Sequence, residues 1–432
     1  MKLCMIGTGY VGLVSGVCFS DLGNTVYCVD KNKEKINSLN SGKIPIYEPG
    51  LEEVLKKNYK NKRLIFTTDL KKAVLNSDII FICVGTPTKK SSNSANLKYV
   101  FSVANELKKI ISKYKIIVTK STVPVATGDK IEKILINLKN KNLVDIVSNP
   151  EFLREGEAIR DFVYPDRVII GTNSKKADKI LKSLYLPIIK KTSRYFSTSR
   201  RGAELIKYAS NAFLATKISY INELANLCEK TNVDIKDISF GMGLDQRIGE
   251  RFLRAGPAYG GSCFPKDTKA LIDTANYFQT DLSIVKSVVK SNDLRKDLLT
   301  KKVHQILKGK LNNKIITFLG VTFKPNTDDM REASSIPMII NLNKRKCKIR
   351  YYDPSGEKKE FKKLKNVKYH KSISSACIKS DLIIIHTEWN DFKILNFKKL
   401  VQKNNFIVYD MRNIYSPLKM KKLKIKYFGI GR

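Results

Sequence analysis

The sequence predicts two doubly wound α/β domains with parallel sheets, joined by a long central helix and a helical middle domain. In the first half, short runs rich in Ile and Val alternate with helical runs, as in parallel sheets whose strands are buried on both faces. Residues 202–230 then form one long helical pattern without proline or internal glycine. Near Asn313 the strand–helix alternation begins again. We therefore expect domains at residues 1–200, 201–310 and 311–432.

The predicted strands are the apolar runs of these two alternating regions. Those of the first domain are Lys2–Gly7, Thr25–Asp30, Leu64–Thr68, Ile79–Val84, Ile116–Lys120, Val144–Ser148 and Arg167–Gly171. Those of the last domain are Lys314–Gly320, Lys348–Asp353, Leu382–His386 and Phe406–Asp410. The 202–230 helix lies between the two sheets, where we expect it to contribute to a homodimer or a higher homo-oligomer. A plain core helix fits its pattern equally well.

The composition is strongly basic, with 80 Lys and Arg residues against 40 Asp and Glu residues and a formal net charge of +40. A hydrophobic content of 42% argues against a disordered class. The basic residues are dispersed as short pairs such as Lys56-Lys57, which favours solvated lysine faces and no specific nucleic-acid partner. The alternative, a nucleic-acid-binding protein, predicts one contiguous basic face and salt-sensitive binding.

The eight cysteines show no C-x-x-C spacing, so no metal site is predicted. Cys4, Cys28 and Cys83 lie in apolar runs, where a free thiol behaves as a small core residue and fits a reducing cytoplasm. The first residues resemble a signal peptide only superficially, because glycines interrupt the apolar run. No apolar run reaches the ~18–20 residues of a membrane helix. We expect a cytoplasmic protein without a membrane partner.

Directly after the first predicted strand comes Gly7–Gly12, with the sequence GTGYVG. This is the G-x-G-x-x-G arrangement of Rossmann-like dinucleotide-binding domains, with Gly7 for the tight turn, Gly9 for close approach of a pyrophosphate and Gly12 for helix packing. Asp30 closes the second strand, where a carboxylate binds ribose hydroxyls and repels a 2′-phosphate. The pattern predicts NAD rather than NADP, although nearby lysines such as Lys35 offset part of that repulsion.

A second motif, Tyr259–Asp267 (YGGSCFPKD), places two glycines before Cys263. Glycines allow close approach of a ligand to the backbone. Lys266 and Asp267 follow the cysteine at short range, and a cationic neighbour favours a nucleophilic thiolate. The alternative is one more buried cysteine.

Two further segments point to chemistry. Lys207 and Asn211 are four residues apart on the long helix, so they share a face and can stabilise one oxyanion, although lone helical Lys and Asn residues usually face solvent. Asn149–Gly156 (NPEFLREG) directly follows a strand, at the edge where parallel sheets bind ligands.

Together these segments resemble the UDP-glucose 6-dehydrogenase family, and the resemblance covers essentially the whole chain. Its motifs are GTGYVG, VGTP, STVP, NPEFLREG, ELIKYASNAFLATKIS, GGSCFPKD, FKPNTDDMREA and the terminal GIGR. The resemblance implies oxidation of the UDP-glucose C6 alcohol to the carboxylate with two NAD⁺. Related dehydrogenases of UDP-N-acetylmannosamine or GDP-mannose are the alternative.

The same resemblance assigns roles to individual residues. Catalytic residues would be Cys263, Lys207, Asn211, Asp267, Glu151 and Thr122. Residues contacting NAD would be Gly7, Gly9, Tyr10, Val11, Gly12, Asp30, Lys35, Thr86, Thr122, Glu155, Lys266 and Arg331. Residues lining the substrate site would be Glu151, Phe152, Leu153, Arg154, Glu155, Lys207, Asn211, Arg247, Phe252, Leu253, Arg254, Ala255, Gly256, Tyr259, Gly260 and Lys324. Ala126 and Ala258 stand where the family commonly has glycine, so backbone conformation or turnover is expected to differ slightly there.

Overall fold

The computed structural model describes residues 1–89, 94–136, 142–189 and 194–432. They fall into two compact units: the first contains residues 1–210 and 273–279, and the second contains residues 211–272 and 280–432. This boundary lies inside the long helix, and the predicted three-domain division stays a prediction. No helix in the described ranges combines the length and the apolar character that crossing a membrane requires.

The first unit is built on a mostly parallel sheet. Its described strands are β1 (Lys2–Ile6), β2 (Thr25–Val29), β3 (Leu64–Thr67), β4 (Ile79–Ile82), β5 (Lys115–Thr119), β6 (Val144–Ser148), β7 (Arg167–Gly171) and β8 (Arg194–Thr198). Their order is β3-β2-β1-β4-β5-β6-β7-β8. The contact between β6 and β7 is antiparallel, at Ser148 and Gly171, and the other pairings are parallel.

Helices cover both faces of this sheet. They are α1 (Tyr10–Asp21), α2 (Lys33–Asn40), α3 (Leu51–Lys60), α4 (Leu70–Leu75), α5 (Lys98–Ile110), α6 (Thr127–Leu135), α7 (Ala158–Val163) and α8 (Lys175–Ile189), followed by the long helix α9 (Arg200–Thr231). Successive residues of β1 pack into different clusters, with Leu3 and Met5 in one and Cys4 and Ile6 in the other. The strand is therefore buried on both faces, which is why it has no polar alternation.

The second unit contains a fully parallel sheet in the order β11-β10-β9-β12-β13-β14. Its described strands are β9 (Ile315–Leu319), β10 (Lys348–Tyr352), β11 (Val367–Tyr369), β12 (Leu382–Ile385), β13 (Ile407–Asp410) and β14 (Lys426–Gly429). The remaining helices are α10 (Ile235–Gly243), α11 (Phe264–Tyr277), α12 (Ser283–Ile306), α13 (Ser335–Lys344), α14 (Ile373–Cys377), α15 (Phe397–Val401) and α16 (Pro417–Lys422).

The predicted fold class is confirmed, since one unit contains a mostly parallel sheet, the other a fully parallel sheet, and helical segments lie between the two sheets in the sequence. Three of the described strands, β8, β11 and β14, were not predicted from the sequence. Each lies at the edge of its sheet. Edge strands are partly exposed and so need no continuous apolar run. In β8 no residue is fully buried, and β11 has only three residues.

Candidate active site

The glycines of the Gly7–Gly12 loop serve different purposes. Gly7 has a φ of +101°, and a Cβ there would lie 2.9 Å from the carbonyl oxygen of Cys83. A Cβ on Gly12 would lie 1.9 Å from the carbonyl oxygen of Gly7, so close helix–strand packing requires glycine at both positions. A Cβ on Gly9 would meet no described atom within 4 Å. No side chain caps α1 at Gly9, which suits the approach of a phosphate to the helix start.

Asp30 binds the glycine loop directly. Its Oδ2 accepts hydrogen bonds from the amide nitrogen (3.0 Å) and Oγ1 (2.7 Å) of Thr8, and Nζ of Lys35 lies 3.2 Å away. Burial would raise the pKa of Asp30, but the hydrogen bonds from Thr8 and from the Asn32 amide outweigh it, so the pKa is lowered. Asp30 is therefore ionised at neutral pH, the form that accepts ribose hydroxyls.

Glu48 connects Tyr10 with the NPEFLREG loop. The hydroxyl of Tyr10 donates to Glu48, and the amide of Gly156 donates to Glu48 Oε2 at 2.7 Å. The amide of Ala158, at the start of α7, donates to Glu48 Oε1 at 2.8 Å. Burial and the hydrogen bond to Glu48 raise the pKa of Tyr10. Glu48 could not be predicted from the sequence, because it lies 108 positions before Gly156 and outside every recognised motif.

Glu151 and Lys207 form a buried ion pair in the first unit. The Nζ of Lys207 lies 3.2 Å from Oε1 of Glu151, and the two side chains are 4% and 6% exposed. Glu151 Oε2 accepts a hydrogen bond of 2.6 Å from the amide of Leu153. The Nζ of Lys207 also lies 5.0 Å from the centre of the Phe152 ring. Lys207 is therefore not one of the solvent-facing lysines of α9.

Arg154 stabilises the same loop through acidic neighbours. Its Nε and Nη2 bind the two carboxylate oxygens of Asp161 at 2.9 and 2.6 Å, and Nη2 lies 2.8 Å from Glu157 Oε2. The hydrogen bonds to Asp161 raise the pKa of Arg154. The assignment of Arg154 to the substrate stays a prediction.

Asn149, at the beginning of the loop, is fixed by two buried groups that sequence analysis did not single out. Its Oδ1 accepts from Nζ of Lys120 (3.1 Å) and from the hydroxyl of Tyr185 (2.6 Å), and its Nδ2 donates to the carbonyl of Ile169 (2.9 Å). Burial lowers the pKa of Lys120 to about 8. The sequence feature that could have identified Lys120 is its position at the end of an apolar strand.

The loops after β4 and β5 meet at two predicted cofactor contacts. Oγ1 of Thr86 donates to the carbonyl of Thr122 at 2.9 Å. Beside it, Oγ of Ser121 donates to the carbonyl of Val84 at 2.7 Å. Both loops lie at the carboxyl edge of the parallel sheet, where ligands bind in open α/β folds.

In the second unit, Cys263 differs from the other seven cysteines because it alone is not buried. It directly precedes α11, and its carbonyl accepts a hydrogen bond of 2.8 Å from the amide of Asp267. The positive end of a helix dipole favours a negative charge at such a position. The helix start is therefore one feature that favours a negatively charged sulfur at Cys263, and the expected effect of Lys266 stays a prediction.

Asp267 is 1% exposed and has two donors of its own. Nδ2 of Asn211 donates to Oδ2, and Nζ of Lys266 donates to Oδ1, both at 2.6 Å. The charge of Lys266 is thus paired with Asp267. Cys263 and Asp267 are four residues apart at the start of α11, so they share a face.

The glycines of the cysteine loop are required by the chain itself. A Cβ on Gly260 would lie 2.6 Å from the carbonyl oxygen of Glu332. Gly261 has a φ of +82°, and a Cβ there would lie 2.7 Å from the ring of Phe323. The sequence predicted close approach of a ligand at both glycines, and that interpretation stays a prediction. Packing within the protein by itself requires glycine at both positions.

Two buried side chains of α12 hold the backbone of residues 255–260. Asn292 exchanges hydrogen bonds with the amide (2.8 Å) and carbonyl (3.1 Å) of Tyr259. Arg295 donates to the carbonyl of Gly256 through Nε (2.9 Å) and Nη2 (2.7 Å). Burial lowers the pKa of Arg295 to about 10. Sequence analysis missed both residues, since Asn and Arg on a helix usually face solvent.

Other predicted contacts are more exposed. Arg247 pairs with Asp245 at 2.6 Å, and its side chain is 89% exposed. Arg331 pairs with Asp329 at 2.8 Å, and its side chain is 63% exposed. Their ligand roles stay predictions. So do those of Val11, Glu155, Phe152, Leu153, Phe252, Leu253, Arg254, Ala255, Gly256, Tyr259, Gly260 and Lys324.

Comparison with known families covers most of the chain. Residues 1–189 match the NAD binding domain of the UDP-glucose/GDP-mannose dehydrogenase family. Residues 201–294 match the central domain of that family, and residues 317–417 match its UDP binding domain.

Similar proteins and solved structures agree with the family models. UDP-glucose 6-dehydrogenases from Rhizobium meliloti (46% identical, covering 100% of each chain) and Bacillus subtilis (43%, covering 100% of this chain and 98% of the relative) are among the relatives. A UDP-glucose dehydrogenase structure from Pyrobaculum islandicum has a TM-score of 0.91 at 34% identity, covering 99% of this chain and 97% of that one. A UDP-D-ManNAc dehydrogenase from Pyrococcus horikoshii has a TM-score of 0.86 at 26% identity, covering 100% and 99%. The chain therefore belongs to the UDP-glucose/GDP-mannose dehydrogenase family and is an NAD-dependent dehydrogenase.

Proposed function

We propose that this enzyme oxidises the C6 primary alcohol of UDP-glucose to the carboxylate of UDP-glucuronate with two NAD⁺. Relatives named UDP-glucose 6-dehydrogenase that match over the whole chain support this substrate. The observation that carries the proposed chemistry is Cys263. It is the cysteine that is not buried, it stands at the start of α11, and the buried carboxylate of Asp267 follows four residues later.

The residues of the first unit fit a bound dinucleotide. The start of α1 at Gly9 has no side-chain cap, and the carboxylate of Asp30 stands at the end of β2. We assign the pyrophosphate to the former and the adenosine ribose to the latter. When bound, NAD⁺ accepts a hydride in each of the two oxidations, which together remove four electrons.

In the first oxidation, the carbon loses its hydride while the alcohol oxygen gives its proton to a water molecule of the site. Lys207 and Asn211, one turn apart on α9, stabilise the developing alkoxide. The ion pair with the carboxylate of Glu151 holds the Lys207 ammonium group in place, because both side chains are buried. The thiolate of Cys263 then adds to the aldehyde carbon, and the aldehyde oxygen takes a proton back from that water to give a thiohemiacetal.

In the second oxidation the thiohemiacetal carbon loses a hydride and its hydroxyl gives a proton to water, which leaves a thioester on Cys263. Water then adds to the thioester carbon while Asp267 or Glu151 accepts a proton, and cleavage of the C–S bond returns the thiolate. Thr122 and Glu151 are proposed to position this water. Covalent capture keeps the aldehyde on the enzyme until the acid forms.

Product identification tests the proposal. The purified enzyme is incubated with NAD⁺ and, separately, UDP-glucose, UDP-N-acetylmannosamine or GDP-mannose, while NADH and the nucleotide sugar are quantified. With UDP-glucose we expect UDP-glucuronate and two NADH per sugar. We do not expect this result with UDP-N-acetylmannosamine or GDP-mannose. Faster acid formation from another nucleotide sugar would reassign the substrate.

A further inference from the structure

A small cavity in the first unit lies among the loops after β5 and β6 and one face of α9. It is lined by Thr119, Ser121, Thr122, Val123, Ser148, Pro150, Glu204 and Lys207. The volume open to the centre of a water molecule is about 10 Å³. This is the space that a single buried water molecule requires.

Glu204 reaches this cavity from α9 and is 3% exposed. Its Oε1 accepts hydrogen bonds from the amide of Gly128 (2.8 Å) and from Oγ of Ser148 (3.1 Å). Gly128 belongs to the first turn of α6, and the residue that precedes this helix, Ala126, provides no side-chain cap. The carboxylate of Glu204 therefore supplies the missing cap from another helix.

The second carboxylate oxygen of Glu204, Oε2, differs from Oε1 in its hydrogen bonding. Among the described residues, Oε2 of Glu204 and Oγ1 of Thr119 are both buried without a hydrogen-bond partner. Both residues line the cavity. A buried polar atom left unsatisfied is costly, and buried water commonly satisfies such atoms in native proteins.

We propose that the cavity binds one water molecule between Oε2 of Glu204 and Oγ1 of Thr119, and that Glu204 thereby positions Lys207 and the Thr122 loop for catalysis. The catalytic part rests on the proposed function. Lys207 follows Glu204 by three residues on α9 and lines the same cavity, as does Thr122. The ionised carboxylate binds the start of α6 directly and the water through Oε2, and the water links it to Lys207 and Thr122 across the cavity that all of them line.

The surroundings of Glu204 make its ionisation relevant near neutral pH. Burial raises the pKa of Glu204 to about 7, although the hydrogen bonds from Gly128 and Ser148 and the nearby amide of Ala126 act in the opposite direction. The neighbouring charged groups are Asp129 and Glu132 on α6 and Arg200 and Lys207 on α9, with Arg200 paired to both acids and Lys207 paired to Glu151. The neighbours on β5 and β6, Thr119 and Ser148, are neutral.

The kinetic test is the Glu204→Gln variant, which keeps the shape of the side chain but does not ionise. We expect the ratio of its kcat to that of the wild type to fall about tenfold between pH 6 and pH 8, because ionisation with a pKa of about 7 changes the charged fraction by that factor. The matched control is Glu132→Gln, which removes a carboxylate outside the cavity lining. The ratio of the kcat of Glu132→Gln to that of the wild type should not change with pH. A constant ratio for Glu204→Gln would overturn the positioning role, whereas a wild type inactive on UDP-glucose would instead reject the proposed function.

The water site is tested without activity. A high-resolution crystal structure should show one water within hydrogen-bonding distance of Glu204 Oε2 and Thr119 Oγ1. Thr119→Val, which removes the hydroxyl at nearly constant volume, should lose that water while the protein remains folded. A dry cavity in the wild type would overturn the proposal, and this test holds even where Glu204→Gln fails to fold.

Discussion

The Nζ of Lys207 lies 3.2 Å from Oε1 of Glu151, and both side chains are almost completely buried. The two residues are 56 positions apart in the sequence. They come together because α9 packs beside the loop that follows β6. A buried cation paired with one carboxylate is held in a fixed position, which an oxyanion-stabilising group requires.

Replacing Lys207 with Ala should therefore lower kcat on UDP-glucose by at least about 100-fold, the scale of one lost oxyanion donor. The measurement is steady-state NADH formation. Lys230→Ala, on the exposed end of the same helix, should leave kcat unchanged. If only KM rose in Lys207→Ala, Lys207 would be a binding residue instead.

The same substitution should also affect stability, because it leaves Glu151 buried without its ion-pair partner. Losing one member of a buried pair typically costs about 3–5 kcal/mol. Adding Glu151→Gln to Lys207→Ala should recover part of the lost free energy of unfolding but none of the activity. This comparison separates the structural contribution of the pair from its catalytic one.

We predict that cofactor choice depends on Asp30. We expect a much higher kcat/KM with NAD⁺ than with NADP⁺, because an ionised carboxylate accepts the ribose hydroxyls and repels an added phosphate. Asp30→Ser should narrow this preference, and Lys35→Ala, which removes the cation 3.2 Å from Asp30, should widen it. Equal efficiencies in the wild type would show that the neighbouring lysines cancel the carboxylate.

Ala126 provides a stability test. It has a φ of +70°, in the left-handed region that disfavours any side chain. Ala126→Gly should relieve this strain and raise the free energy of unfolding by up to about 1 kcal/mol, after the greater flexibility of glycine in the unfolded chain is counted. Ala104→Gly, within α5, should instead destabilise by about 1 kcal/mol or more. Thermal unfolding followed by circular dichroism measures the stability of both variants. An Ala126→Gly variant less stable than the wild type would contradict the inference that Ala126 is strained.

These residues also show which features the sequence could predict. The Gly7–Gly12 loop and Asp30 were predictable because their geometry is local, set by a strand, a turn and a helix start. Glu48, Asn292 and Glu204 were not predictable, because each acts on a backbone that is distant in the sequence. Edge strands such as β8 were missed for another reason, since partial exposure removes the apolar run that identifies a strand.

Substitutions on the exposed face of α9 can test the predicted homo-oligomer. Phe213, Tyr220 and Leu227 recur every seven residues and are 65%, 51% and 57% exposed. A stripe of this spacing on one helix face suits pairing with the same stripe of a second copy about a two-fold axis. Phe213→Lys combined with Leu227→Lys should reduce the mass measured by light scattering to that of one chain. A wild type that is already monomeric would refute the prediction.

Cys263 should be the most reactive thiol of the protein. The other seven cysteines are buried, and burial raises the pKa of each of them, for example that of Cys83 to about 12. Iodoacetamide should therefore label Cys263 first, as measured by peptide mass spectrometry, and UDP-glucose should slow the labelling. Faster labelling of another cysteine would remove the structural basis for choosing Cys263.

Replacing Cys263 with Ala should abolish formation of UDP-glucuronate, because no thioester can form without the sulfur. The folded protein should persist, since the side chain is partly exposed and its loss opens no core cavity. Cys228→Ala, at a buried position in α9, is the matched control and should lower stability while retaining turnover. The wild type should release two NADH for each UDP-glucose consumed. Acid formation by Cys263→Ala at the wild-type rate, or one NADH per sugar with free aldehyde in the wild type, would exclude the covalent mechanism.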